Sequence, residues 1–448
     1  MIIFKKKFKK LSCTFAFIIF AVFTATASTS SPENNNSPEG EETADLLFRD
    51  HIYKKNIKSA QLFIMKEQMS FPVIFLNDQK QLSLHFDDFS RQYQTYSYKF
   101  IHCNSNWEPS GLQEQEYLAG FMSGFIEEFR YSFNTLFSYI HYQLNFPNQD
   151  IHFKLSGNYL LLVYANNNED DLVLTRRFYV VDKRVKIDSK IHMATLARYR
   201  DFKQEVDLII NHQNYPIQDP FSDLRIVISQ NRRWDNAITG LKPLFIRTPE
   251  LVYNYEDDNL FDGNNEFRFF DAKDLRYQSI NVERIQIENG KTNLYLAQEE
   301  PRSYKRYYNQ PDINGKRLIK RDDSRNSNLE ADYINAHFKL KRSDRIQGGD
   351  LFVFGGLSDW ELKEEFKMDY NEIEEVYQLK TVLKQGYYNY MYAFLPSGES
   401  KADLSIIEGT HSQTENDYYI FVYHRKNGEI YDRLVGFKID NSIKSLDD

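Results

Sequence analysis

From residue 43 onward, short apolar runs rich in aromatic and β-branched residues alternate with clusters of turn-forming residues. Runs of this kind favour β-strands, and turn signals between them favour β-sandwiches. In residues 96–100 (YSYKF) the aromatic side chains alternate with polar ones, as in a strand that buries one face. Residues 159–164 (YLLLVY) are almost continuously apolar, which predicts a central strand.

The pattern predicts an all-β chain of three consecutive immunoglobulin-like or early-set β-sandwich domains with long loops. The first domain is predicted over residues 44–183, with strands at residues 60–65, 73–75, 81–86, 95–103, 141–145, 157–164 and 172–181. Strands at this spacing, without regular helices, are typical of an immunoglobulin-like sandwich. The segment between Trp107 and Phe133 interrupts the pattern, and we expect a short helix or an extended loop there.

The second domain is predicted over residues 184–300, with strands at residues 185–191, 205–211, 224–230, 251–255, 265–270, 284–288 and 292–296. Asn289 and Gly290 stand between the last two strands and predict a two-residue hairpin, because both tolerate positive φ. Residues 301–330 are rich in charged residues, Asn and Pro, and are expected to form a linker or a β-ribbon excursion. The third domain is predicted over residues 331–440, with strands at residues 331–340, 350–355, 375–383, 388–395, 417–425 and 433–439.

The first 27 residues have the organisation of a secretory signal peptide. Five lysines and no acid in residues 1–10 precede an apolar stretch in residues 11–27, and Ala25-Thr26-Ala27 supplies small residues for cleavage between Ala27 and Ser28. The apolar stretch is short for a retained membrane span, which needs about 20 apolar residues. Residues 28–43 are polar and lack aromatic residues, so we expect a flexible tail.

Cleavage at this position leaves an acidic protein. The formal net charge of the whole chain is −8, and removal of five lysines makes it more negative still. Nucleic acids and anionic lipids are bound through clustered Lys and Arg, so neither is an expected partner. Cys103 is then the one remaining cysteine, which excludes an internal disulfide. Adjacent His102 and Cys103 point to opposite faces of a strand, so we expect a buried structural cysteine and not a nucleophile.

The sequence offers little for catalysis or for a cofactor, and we expect no enzyme activity, no cofactor, no metal and no small-molecule substrate. The acidic run in residues 253–262 (YNYEDDNLFD) lacks the spacing of a calcium loop. The acid pairs Asp170-Asp171 and Glu299-Glu300 are adjacent in sequence, whereas glycoside hydrolysis needs two carboxylates across a cleft. The histidines occur singly and without ligand spacing.

Several segments, taken in order, resemble one known family. They are HCNSNWEPS (102–110), FNTLFSYIHYQLNFPN (133–148), SGNYLLLVY (156–164), the long stretch of residues 230–279, EPRSY (300–304), PDINGK (311–316) and KQGYYNYMYAF (384–394). On these segments the chain resembles the plug proteins of the type IX secretion system, which are periplasmic proteins of Bacteroidota. The resemblance extends in order from about residue 50 to about residue 438.

This resemblance implies a periplasmic protein at the inner side of the outer membrane, with no membrane span of its own. It would bind the giant outer-membrane translocon β-barrel and close its pore while the shuttle partner is absent. From the residues themselves, a partner surface is predicted in the Asn-, Arg- and aromatic-rich middle of the chain, because Trp, Tyr and Arg are frequent in interface hot spots. The predicted interface residues are Arg232, Arg233, Trp234, Asn236, Arg268 and Arg276. The competing explanation is that several of them hold long loops in place through side-chain hydrogen bonds.

An alternative interpretation is a periplasmic or surface glycan-binding protein that uses the third domain. Residues 352–360 and 383–390 resemble early-set immunoglobulin-like modules, which include glycan-binding modules of starch-active enzymes. Trp360, Tyr388 and Tyr390 would then present their rings to a sugar, since Tyr388 and Tyr390 share one face of a strand. The competing explanation is that this face packs into the core of the domain.

Overall fold

The computed structural model describes residues 45–443, and the predicted signal peptide, its cleavage site Ala27–Ser28 and the tail of residues 28–43 lie outside them. Residues 45–183 contain β1 His51–Ile52, β2 Ile57–Ile64, β3 Val73–Phe75, β4 Leu82–Asp88, β5 Tyr96–Cys103, α1 Glu114–Tyr117, β6 Leu118–Gly120, β7 Ser123–Phe125, β8 Glu128–Tyr131, β9 Ile140–Phe146, β10 Ile151–Phe153, β11 Gly157–Ala165 and β12 Leu172–Val181.

Residues 184–300 contain β13 Lys186–Met193, β14 Lys203–Asn211, α2 Pro220–Asp223, β15 Leu224–Gln230, β16 Ile238–Thr239, β17 Phe245–Arg247, β18 Glu250–Tyr253, β19 Leu260–Asp262, β20 Arg268–Asp271, β21 Val282–Glu288 and β22 Lys291–Leu296. The rest contains β23 Arg317–Ile319, α3 Ser327–Glu330, β24 Tyr333–Lys341, β25 Gly349–Phe354, β26 Asp369–Asn371, β27 Val376–Lys384, β28 Gly386–Pro396, α4 Ser405–Glu408, β29 Asp417–His424 and β30 Arg433–Asn441, with 3₁₀ turns at Gly356–Ser358 and Glu364–Phe366.

Pairs of sheets enclose three hydrophobic cores. In the first sandwich, the sheet β1-β12-β11-β5-β7, to which β3 adds in parallel, faces the sheet β2-β4-β9-β8. In the second sandwich, β13-β14-β18-β17 with β19 faces β16-β15-β29-β30. In the third sandwich, the sheet of β20, β28, β23 and β25 faces β21-β22-β24-β27-β26. The all-β sandwich fold predicted from the sequence is therefore confirmed, and each predicted strand overlaps an observed one.

The assignment of strands to the second and third sandwiches differs from the prediction. Strands β20 to β22, placed by the sequence pattern in the second domain, belong to the third sandwich, and β29 and β30 return to the second. The predicted domain boundaries at residues 300 and 331 therefore do not separate the second sandwich from the third. Residues 301–330 are also not a ribbon, because β23 pairs with β28 inside the third sandwich and Arg302 bonds the buried Glu408.

The burial of β29 explains its return to the second sandwich. All eight of its residues are buried. Tyr418, Ile420 and Val422 point into the core of the second sandwich, while Tyr419, Phe421 and Tyr423 point the other way, against the first sandwich. A strand that is apolar on both faces needs cover on both sides. The position between two sandwiches provides it.

The hairpin predicted at Asn289 and Gly290 is confirmed. Glu288 pairs with Lys291, and the two residues between them have φ of 51° and 71°. Both values lie in the left-handed region that a two-residue turn of this type requires. No helix within the described residues is long and apolar enough to cross a membrane.

Candidate interaction surfaces

The predicted interface loop after β15 lies between the first and second sandwiches, and three of its four predicted residues remain partly exposed. The Arg232 guanidinium donates to the Met69 carbonyl at 2.7 Å and lies over the ring of Phe71. Trp234 packs edge-on against Trp107 with ring centroids 6.1 Å apart. Arg233 is buried and donates two hydrogen bonds to Asp235, at 2.9 and 2.6 Å.

Asn236, the fourth predicted residue of this loop, also bonds within the chain. Its amide donates to Gln230 Oε1 at 3.1 Å. Arg232 and Trp234 therefore join the second sandwich to the first, whereas Arg233 and Asn236 hold the loop itself in place. Interfaces between sandwiches draw on the same residue types as interfaces between proteins, which is why the sequence pattern did not distinguish the two.

Arg268 is also buried, in an ion cluster of the third sandwich. Its guanidinium bonds Glu408 at 3.0 Å and Glu299 at 3.1 Å. Burial alone would raise the pKa of Glu408, but Arg268 and then Arg302 hold that pKa below its ordinary value. The cluster anchors α4 on the sheet, so Arg268 is not available to a partner. Arg276 remains exposed and pairs with Asp274 at 2.6 Å.

The aromatic residues of the alternative glycan platform are mostly core residues. Tyr388 and Tyr390 are each 1% exposed and line the core of the third sandwich. Trp360 is partly buried and packs edge-on against Phe267 and Phe354, with ring centroids 5.9 and 5.8 Å away. The predicted platform is therefore not present as a surface, and the face shared by Tyr388 and Tyr390 is a packing face.

Cys103 is buried, as expected, and His102 points away from it. The thiol lies in the apolar layer between the first and second sandwiches. His102 packs edge-on against Tyr159 on the other face of the sheet, with ring centroids 4.9 Å apart. Burial raises the pKa of the Cys103 thiol to about 12, so the thiol is protonated at neutral pH.

Two buried ion clusters join the first sandwich to the third. In one, Asp359 accepts hydrogen bonds from Arg176, Arg317 and Lys363, beside a cavity of about 120 Å³. In the other, Asp87 binds Lys384 at 2.6 Å and the His141 imidazole at 2.7 Å. Buried, hydrogen-bonded ion pairs of this kind fix the geometry of the surfaces that share them.

A surface that the sequence pattern did not indicate lies in the irregular segment of the first sandwich. Phe121, Phe125, Tyr131, Phe133 and Leu136 are between 54% and 71% exposed. They occur within sixteen residues, in and around β7 and β8. Exposed apolar side chains at this density are typical of contact sites. We call these five residues the aromatic segment.

The backbone of the aromatic segment is held in place although its side chains are exposed. The Phe133 amide donates to the Leu329 carbonyl at 2.9 Å, and the Leu136 and Phe137 amides donate to the Asp332 carboxylate at 2.6 and 3.1 Å. β7 and β8 are the outer strands of their sheets. Rings on an ordered backbone lose less entropy on binding than rings on a flexible loop.

The fold and the placement of these residues define an all-β protein of linked sandwiches with several exposed aromatic side chains on an ordered backbone. A family profile described as "Type 9 secretion system plug protein 1st domain" matches residues 57–182, which include β2 to β12 and the aromatic segment.

A crystal structure of a hypothetical protein from Parabacteroides merdae ATCC 43184 is 35% identical to this chain, with a TM-score of 0.86. The match covers 89% of this chain and 100% of that one. A search of curated proteins found no match. The chain belongs to the plug protein family of the type 9 secretion system.

Proposed function

We propose that this protein is a non-enzymatic periplasmic plug of the type 9 secretion system. It binds the periplasmic side of the giant outer-membrane translocon β-barrel and seals its pore while the shuttle partner is absent. Family membership supports the assignment of the protein to this secretion system. Within the molecule, the aromatic segment is the observation that carries the proposal, because it lies in the region that the family profile matches.

A plug that acts by shape needs a body that does not deform. The buried clusters around Asp87 and Asp359 tie the first sandwich to the third, and the layer that contains Phe71 and Phe421 ties it to the second. Reversible closure also requires a contact that can be released. An interface with a few aromatic anchors and a polar rim has this property.

Co-purification with the translocon barrel tests the proposed contact. We expect the tagged protein to recover the barrel from envelope extracts, and the variant Phe121→Ser/Phe125→Ser/Phe133→Ser to recover much less. The matched control is Tyr277→Ser/Tyr304→Ser/Tyr308→Ser, which removes three aromatic rings that are 71%, 72% and 77% exposed elsewhere. Equal recovery by both variants would exclude the aromatic segment as the docking surface.

Permeability of the outer membrane tests sealing itself. In cells that lack the shuttle partner, deletion of the plug should admit large antibiotics that intact cells exclude. Cells with a complete secretion system should still secrete after the deletion. Unchanged antibiotic sensitivity in the strain without the shuttle partner would contradict the sealing role. Retention on polysaccharide columns, with no barrel recovered, would favour the glycan-binding alternative instead.

A further inference from the structure

Three side chains with metal-binding atoms converge on one face of the second sandwich, whereas the aromatic segment belongs to the first. His192 on β13 pairs directly with Glu205 on β14, and Asp207 follows Glu205 on the same face of that strand. His192 Nε2 lies 3.0 Å from Asp207 Oδ2 and 3.8 Å from Glu205 Oε1. The three ligand atoms all lie within 4.8 Å of one another.

These separations suit a small divalent cation. Zinc binds nitrogen and carboxylate oxygen at about 2.0–2.2 Å, which places neighbouring ligand atoms of a tetrahedron about 3.3 Å apart. The observed separations from His192 Nε2, 3.0 Å to Asp207 and 3.8 Å to Glu205, lie on either side of that value. The side chains of His192 and Asp207 are 22% and 17% exposed, which gives an ion access, whereas that of Glu205 is 1% exposed.

The second polar atom of each side chain is held by a group outside the cluster. His192 Nδ1 donates to the Met193 carbonyl at 2.8 Å, and Nε2, which bonds Asp207 Oδ2 at 3.0 Å, is the ring nitrogen that a metal ion would take in place of the proton. Glu205 Oε2 accepts from the Thr195 amide at 2.7 Å, and Asp207 Oδ1 accepts from Asn259 Nδ2 at 3.1 Å. Outer hydrogen bonds of this kind orient ligands in metal sites.

The charges at this position are only partly balanced, because the exposed Lys190 on β13 stands opposite Asp207 on the same face but forms no ion pair with it. Within residues 45–443, no Lys or Arg nitrogen lies within 4.0 Å of the Glu205 or Asp207 carboxylate. Among the three ligand side chains alone, a proton on His192 leaves one net negative charge and a divalent cation leaves none. Asn259, fully buried next to Asp207, has an amide oxygen without a hydrogen-bond partner among the described residues. An uncompensated buried charge is unfavourable, so the arrangement favours a doubly charged ion.

We propose that His192, Glu205 and Asp207 bind one Zn²⁺ ion per chain, with water completing the coordination. The ion links the outer strand β13 to β14. Mixed nitrogen and oxygen ligands select a borderline transition ion over Ca²⁺ or Mg²⁺, which prefer oxygen alone.

Calorimetric titration of chelator-treated protein with ZnCl₂ tests the site. We expect one Zn²⁺ per chain, and at least about tenfold weaker binding in Asp207→Asn and in His192→Asn. The control is Asp262→Asn, which removes a carboxylate that pairs with Lys203 on the same sheet and should leave zinc binding unchanged. Thermal melting in EDTA establishes that each variant folds.

A second measurement identifies the ligands directly. Co²⁺ bound by His192 should show visible d–d absorption that Zn²⁺ abolishes and that both ligand variants lack. Absence of stoichiometric Zn²⁺ binding to the wild type would overturn the assignment. It would also be overturned by wild-type affinity in both Asp207→Asn and His192→Asn, or by displacement of Zn²⁺ by equimolar Ca²⁺.

Discussion

Replacement of Lys384 by Met tests whether the buried ion cluster between the first and third sandwiches stabilises the protein. Lys384 Nζ donates to Asp87 Oδ2 at 2.6 Å and to the Asn328 carbonyl at 2.8 Å, and it lies 4.2 Å from the centroid of the Tyr139 ring. The side chains of Lys384 and Asp87 are 2% and 1% exposed. Met has a similar length and no charge, so the variant leaves Asp87 buried without its cation.

The expected cost is large because the remaining charge is buried. Burial alone would raise the pKa of Asp87, but Lys384 and then His141 hold that pKa below its ordinary value. Removal of one partner of such a pair costs about 3–5 kcal/mol. The matched control is Lys339→Met, which removes an exposed pair with Glu374 at 2.9 Å and should cost less than about 1 kcal/mol.

Urea unfolding followed by two spectroscopic probes measures both variants. The double variant Asp87→Asn/Lys384→Met should be less destabilised than the sum of its two single variants, by about 1–3 kcal/mol. A loss in Lys384→Met no greater than in Lys339→Met would refute the reasoning. So would strict additivity in the double variant, since the two residues are in direct contact.

Three further predictions concern the same interior. Trp234→Ala should lower the melting temperature, because the ring contacts Trp107 and Phe421, and an unchanged melt would contradict this packing role. Burial, and then His141, lower the pKa of His85 from 6.5 to about 3. Between these two pH values His85 binds a proton in the unfolded chain but not in the folded one, so stability falls as the pH drops from 6.5 towards 3. Between pH 7 and pH 5 the free energy of unfolding should therefore fall by roughly 2 kcal/mol less in His85→Gln than in the wild type. Urea unfolding of both proteins at the two pH values measures this difference. Cys103, whose thiol pKa is about 12, should react with a thiol reagent only after denaturation, and fast labelling of the native protein would show that it is accessible.

Strand positions followed directly from the sequence. The period of two in residues 96–100 and the apolar run of residues 159–164 are local properties, and both correspond to strands at the predicted places. The hairpin at Asn289 and Gly290 was equally local, because it depends on the φ values that two neighbouring residues accept. The buried state of Cys103 followed from the same alternation of faces.

Pairing and burial depended on the tertiary structure, because they join residues far apart in the sequence. The apolar pattern of β29 predicts a strand but not that its neighbour is β15, almost two hundred residues earlier. Arg233 and Arg268 have the side chains of an interface, and only their packing against Asp235 and Glu408 shows that they are internal.

The exposed aromatic segment and the cluster of His192, Glu205 and Asp207 both depend on the tertiary structure. The sequence alone favours burial of a phenylalanine. Phe121 and Phe133 are nevertheless exposed, because the fold places them outside its cores. A histidine and an acid thirteen residues apart become neighbours only when β13 and β14 pair in one register. Local alternation therefore determined which residues form strands, whereas the long-range pairing of those strands decided which side chains meet each other and which meet the solvent.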